Sequence, residues 1–118
     1  MPLLQIHLTT PSVAQDVLNQ IHVQSADLLA EQIGKSVEYV MVLVRTGESI
    51  SFAKDNDTPC AYMEVKNVGE LSSDLTERLT NKLSNLLNEI LGVTVDRIYI
   101  EFQESARHHW GWNGKTFA

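Results

Sequence analysis

Residues Asp74 to Gln103 read DLTERLTNKLSNLLNEILGVTVDRIYIEFQ, and two successive periods in them decide the fold. Leu75, Leu79, Leu83, Leu86, Leu87, Ile90 and Leu91 recur at three- and four-residue intervals, the spacing of one face of an α-helix. Gly92 follows the last of them, where a left-handed residue ends a helix. The period then switches to two: Ile98, Ile100 and Phe102 alternate with Tyr99, Glu101 and Gln103, as along a strand with one buried face. The stretch reads as a helix feeding a strand.

The same unit occurs earlier in the chain. Val17, Leu18, Ile21, Leu28, Leu29 and Ile33 lie at helical spacing, Gly34 follows them, and Val40 to Val44 is an unbroken apolar run. A constant displacement of 58 residues sets Val17 on Leu75, Ile21 on Leu79, Leu28 on Leu86, Leu29 on Leu87, Gly34 on Gly92, Val40 on Ile98 and Val42 on Ile100. The segments that would precede each helix do not keep this phase so well. Strands are expected over residues 2–8, 38–46, 60–68 and 97–103, with a short one near Ile50 to Ala53. Ser12 with Gln15 has capping-box spacing for the first helix, and Asp74 with Glu77 is a looser version for the second. The order strand, helix, strand, twice over, predicts two βαβ units in a single domain of residues 1–118. Right-handed crossovers place both helices on one face of the sheet. Strands this apolar call for cover on the other face, so a closed homo-oligomer is expected.

Composition narrows the function. The 118 residues are 43% hydrophobic and 20% charged, close to an ordinary water-soluble globular chain. Nine Lys and Arg stand against fifteen Asp and Glu, a net charge of −6, which disfavours nucleic acid and anionic membrane as partners. The lone Cys60 excludes an internal disulfide. The opening residues have neither the basic nor the apolar region of a secretion signal, which points to the cytoplasm and leaves unconventional export open. No glycine-rich phosphate loop, zinc spacing or Ser-His-Asp signature is present, and His108-His109 is expected to splay apart on an extended chain, so neither metal nor cofactor is expected.

Pro2 directly follows the initiator Met. Removal of Met1 would expose a secondary amine, and an apolar pocket would lower its pKa from about 8, leaving a neutral base near pH 7. By residues alone, Pro2 can equally be the start of an edge strand.

The motifs together resemble the macrophage migration inhibitory factor family of the tautomerase superfamily. They are Met1-Pro2, Gly34-Lys35, Pro59-Cys60-Ala61, Asp96-Arg97-Ile98-Tyr99-Ile100 and the ending Gly111-Trp112-Asn113-Gly114-Lys115-Thr116-Phe117-Ala118. The resemblance implies an α/β (α+β) fold of duplicated βαβ units, with a four-stranded sheet and two helices, assembled as a homotrimer with active sites at subunit boundaries. It also implies a cofactor-independent keto-enol tautomerase of phenylpyruvate-type substrates, extending in many members to dopachrome derivatives, with Pro2 as general base. By the same resemblance Lys35 anchors a carboxylate or steadies an enolate, and the main-chain amide of Val68 holds the substrate. Tyr99 would come from a neighbouring subunit, Tyr39 would lie near the mouth, Phe117 would form pocket wall, and Trp112 would be mainly structural.

Three positions depart from the family pattern. Glu101 replaces a common asparagine near the substrate, where a carboxylate would raise the pKa of Pro2 or repel an anion unless paired. Trp110 replaces a small apolar residue at the rim, narrowing the site or adding a stacking surface. Met63 replaces the second cysteine of a Cys-x-x-Cys, so thiol-disulfide chemistry of that type is not expected and Cys60 reads as a small buried hydrophobe. An alternative function is a cytokine-like binding or signalling protein, with an unknown receptor and a vestigial pocket. Hydration or decarboxylation of small acids would call for arginines in the pocket. None of Arg45, Arg78, Arg97 and Arg107 falls at a motif position that would put it beside Pro2.

Overall fold

The computed structural model describes residues 1–118. Strand β1 (Leu3–Leu8) leads to helix α1 (Gln15–Ile33), strand β2 (Met41–Arg45), strand β3 (Ala61–Val68), helix α2 (Ser73–Leu91) and strand β4 (Ile98–Ser105). Two two-residue strands, β5 (Gly111–Trp112) and β6 (Lys115–Thr116), form a hairpin at the C-terminus. The sheet order is β2-β1-β3-β4. β1 runs parallel to β2 and β3 parallel to β4, while the central pair β1/β3 is antiparallel. The architecture is therefore two βαβ units joined back to back in a mixed sheet, with both helices packed on one face.

The strand registers explain why the internal repeat loses phase. Leu4, Ile6 and Leu8 face the helices from β1, and Met63, Val65 and Asn67 do so from β3. These positions superpose at a displacement of 59, not 58, because the first unit is one residue longer between its first strand and its helix. A slip of one would turn every side chain to the wrong face.

Leu4, Ile6, Leu8, Met63 and Val65 pack with Ile21 and Leu29 of α1 and with Leu79, Leu83 and Leu87 of α2 in one continuous core. Gly34 and Gly92 close the helices at φ of 78° and 74°, the left-handed conformation that glycine adopts without a Cβ penalty. Both starts differ from the sequence reading. α1 begins at Gln15, behind Ala14, with no side-chain cap, because Ser12 lies too far upstream to reach its first free amides. α2 is capped by Ser72, whose hydroxyl accepts from the Leu75 N–H at 3.2 Å, while Asp74 sits within the first turn. Neither helix is long and apolar enough to cross a membrane.

Three further expectations change. The expected strand 38–46 starts only at Met41, because Ser36 accepts from the Glu38 amide and winds Val37–Tyr39 into a 3-10 turn. Near Ile50 to Ala53 there is an isolated bridge between Phe52 and Asp55 rather than a strand. His108 and His109 lie in a 3-10 turn, Arg107–His109, that brings their rings to 4.0 Å instead of splaying them.

The sheet face away from the helices is largely polar. It carries Gln5, His7, Tyr62, Glu64, Lys66, Glu101 and Gln103, with Leu3, Met41, Leu43 and Tyr99 among them. This face is less apolar than the expectation of strands needing cover on both sides implied, because the alternation that buries one side of each strand leaves mostly polar residues on the other. Cys60 is buried, as expected, beside Thr9, whose hydroxyl accepts from its amide.

Candidate active site

The first unit ends its helix beside its own chain terminus. Gly34 turns the backbone so that Lys35 leaves α1 toward the end of β3, where its ammonium donates to the Val68 carbonyl at 2.6 Å and to the Asn67 Oδ1 at 3.1 Å. Both acceptors are neutral, and Lys35 has no carboxylate partner. Val68, Met1, Gly69, Arg107 and Phe117 join it around one crevice. Burial first, and the Lys35 ammonium second, pull the α-amine of Met1 from 8.0 down to about 5.

A second cavity of about 370 Å³ lies on the other side of Met1. Pro2, Tyr39, Met41, Trp110, Trp112 and Phe117 are among its walls. The Met41 amide donates to the Pro2 carbonyl at 3.2 Å and ties the start of β1 to β2. Pro2 itself is buried. The Trp112 ring meets Tyr39 edge-on at 5.6 Å and lies parallel to Phe117 at 6.3 Å. Met1 and Phe117 border both spaces, so the amino terminus stands at the junction of a cationic crevice and an aromatic cavity.

Main-chain geometry adds a donor. Strand pairing of β1 with β3 stops at Leu3↔Lys66, and that register sets Val68 opposite Met1. Gly69 donates its N–H to Ser105 of β4. Successive residues of a strand aim their amides at opposite neighbours, so the Val68 N–H faces the β1 side, where pairing has run out.

Six of the residues expected from sequence therefore gather around the terminus: Pro2, Lys35, Tyr39, Val68, Trp110 and Phe117. Tyr99 and Glu101 do not meet them within one chain. Tyr99 pairs through Tyr62 with His7, five residues from Pro2, which is about 17 Å along the strand at the usual rise. It is exposed and packs edge-on against Phe52 at 5.0 Å. Glu101 accepts a hydrogen bond from the Tyr62 hydroxyl at 3.2 Å, a hydroxyl that also reaches Glu64 at 2.9 Å. Burial and these two carboxylates push the Tyr62 phenol up to about 12.

The structure also brings in residues that sequence reasoning left out. Trp112, read as structural, forms cavity wall. Glu38 and Met41 line the same cavity from the turn before β2 and from its first residue. Arg107, set aside for want of a motif position, lines the crevice with Lys35 and Met1, because the 3-10 turn after β4 swings it back over the sheet end. The overlooked signal was Asn113-Gly114. Both residues have positive φ, as a tight hairpin turn requires, and the hairpin folds Trp112 and Phe117 onto one wall.

The whole chain, residues 1–118, matches the family model described as macrophage migration inhibitory factor (MIF). Over 120 residues it is 30% identical to the macrophage migration inhibitory factor of Mus musculus, with 100% of each chain covered. The crystal structure of the homologue from Prochlorococcus marinus has a TM-score of 0.92 at 34% identity, covering 98% of this chain and 99% of that one. The factor from Toxoplasma gondii, at 24% identity, is alike in fold, with a TM-score of 0.91 over 97% and 98% of the two chains.

Proposed function

Since the chain belongs to the macrophage migration inhibitory factor family, we propose that it is a keto-enol tautomerase of phenylpyruvate-type substrates with the secondary amine of Pro2 as base. The observation that carries this reading is the junction at the terminus: a cationic crevice on one side, an aromatic cavity on the other, and the first nitrogen between them. An arylpyruvate has the same division, a carboxylate at one end and a ring at the other.

While Met1 is attached, the Pro2 nitrogen is a tertiary amide and has no basicity. Its removal frees a secondary amine in surroundings that already depress an α-amine, through burial and the Lys35 charge. In its neutral form that amine takes a proton from the carbon next to the ketone. Electrons then move onto the carbonyl oxygen, which becomes the enol on reprotonation. The Lys35 ammonium lies where it offsets the developing negative charge, and the Val68 amide donates to the substrate oxygen. Tyr39, Trp110, Trp112 and Phe117 hold the ring and exclude water, which strengthens each polar contact inside.

Tyr99 joins such a site only from another protomer, which fits a homotrimer. Strands β2 and β4 are both open sheet edges, and Met41 and Tyr99 project from them, each 65% exposed. Association along such edges covers unpaired backbone groups. A trimer has a mass of roughly 40 kDa by light scattering, and a 13.2 kDa particle would remove Tyr99 from the site.

The catalytic test is the ultraviolet decay of enol phenylpyruvate, with intact mass recorded for each protein. Met1-free protein accelerates the decay, whereas Pro2→Gly and a Met1-retaining form lose about 10²- to 10⁴-fold, the usual share of a general base. Equal rates in all three overturn the mechanism.

A further inference from the structure

Lys35 and Arg107 are two cations on one crevice, and neither is in an ion pair. The salt bridges of the chain are His7–Glu48, Lys66–Glu64 and Arg97–Asp55. In a protein with six more acidic than basic side chains, two cations without a carboxylate that line one crevice make it locally positive. Arg107 is also oriented. Its Nε donates to the Phe117 carbonyl at 2.7 Å, which fixes one edge of the guanidinium. Neither Nη nitrogen has a partner, so the fork that matches a carboxylate is unoccupied. The residue that holds Arg107 is the same one whose ring borders the aromatic cavity, so the position of the fork is coupled to the wall against which a substrate ring would lie.

We infer that Arg107 is a specificity-determining residue that grips the carboxylate of an aryl 2-oxo acid through its two free nitrogens, so that the site selects the free acid over its ester. Lys35 then remains beside the ketone oxygen instead of serving as the only anchor. The inference deepens the tautomerase reading and rests on it for the kind of ligand, but it concerns binding and does not require proton transfer. A lysine at 107 would supply a point charge without the planar fork.

The experiment uses benzoylformate, an aryl 2-oxo acid with no hydrogen on the carbon next to its ketone, so that it binds without reacting. Its methyl ester is the uncharged control. Binding to Met1-free protein is followed by calorimetry and by quenching of tryptophan fluorescence, since Trp110 and Trp112 line the cavity. Arg107→Gln keeps a donor for the Phe117 carbonyl while removing the charge. It should weaken benzoylformate about tenfold and leave the ester unchanged, and Arg107→Lys should fall between Arg107→Gln and wild type. Arg107→Ala, which also frees the tail, serves as the second variant, and the same acid-only loss is expected. Unchanged acid affinity in both neutral variants, parallel loss for acid and ester, or no binding of benzoylformate to wild type each overturns the inference. Arg107-dependent binding in a protein that does not isomerise phenylpyruvate would leave it standing and remove the catalytic reading instead.

Discussion

Lys35 and Val93 occupy equivalent places in the two halves of the chain, each directly after the glycine that ends a helix, and they do opposite things. Lys35 reaches out to the end of β3 beside a chain terminus. Val93 is 1% exposed and belongs to the core. The residues four further on diverge in the same way. Tyr39 meets Trp112 across an open cavity. Arg97 is folded inward, donating to the carbonyls of Phe52, Asp55, Thr58 and Pro59 and lying 5.5 Å over the Phe52 ring. The strand starts differ too: Pro2 lines the aromatic cavity, whereas its counterpart Ala61 is buried in the core. One corner is sealed by a loop that an arginine ties together, and the other opens onto a crevice and an aromatic cavity that both border Met1. The scaffold occurs twice, and only its first copy opens onto a cavity walled by aromatic rings.

Exchanging residues between the corners tests that contrast. Val93→Lys should be the most damaging change, costing ~4 kcal/mol in urea unfolding, because it drives an unpaired ammonium into the core. A stable Val93→Lys protein would mean the second corner is as open as the first. The reverse exchange, Lys35→Val, should reduce kcat/KM for phenylpyruvate about a hundredfold through loss of charge stabilisation. It should cost only ~1 kcal/mol of stability, from the Asn67 oxygen left without its donor. Wild-type kinetics in Lys35→Val would end the distinction between the corners. Arg97→Ala leaves four carbonyl groups without their shared donor and should cost ~2 kcal/mol, read by the same unfolding method, with Arg97→Lys recovering part of it.

The smallest effect is in pH dependence. Burial and Lys35 lower the amine at the terminus, so its neutral form is favoured in the folded protein. The Pro2 amine of Met1-free protein meets the same burial and the same Lys35 charge, so kcat/KM should rise with pH and level off below the range of an exposed terminal amine. Lys35→Ala removes one of the two causes and should move that rising limb upward. For the Met1-bearing chain the sign in stability follows: the contribution of this group is present above pH 8.0 and is lost as pH falls toward about 5. A profile centred at the ordinary value, unmoved by Lys35→Ala, would make the two corners electrostatically alike.

Local pattern made much of the fold legible. Helical spacing marked both helices, and Gly34 and Gly92 marked their ends, since a left-handed residue there has few chemical solutions. Alternation located β3 and β4 to within about two residues. It failed at residues 38 to 40, where a serine capped a short turn that the apolar run concealed. The repeat was readable from the helices onward, but the extra residue in the first unit emerged only from the register of β1 with β3, because a phase difference between distant strands leaves no local trace.

By itself the sequence determined two amphipathic helices, four strands, a duplicated plan and the residue types from which a site can be built, because these depend on neighbours three or four positions apart. Only the tertiary structure decided which of those residues meet. It joined Pro2, Lys35, Trp110 and Phe117 at one chain end, added Arg107 and Trp112, and carried Tyr99 and Glu101 to a different part of the sheet. The reason is geometric: proximity between β1, the end of α1 and a C-terminal hairpin is set by strand order and register, and those depend on how the whole core closes.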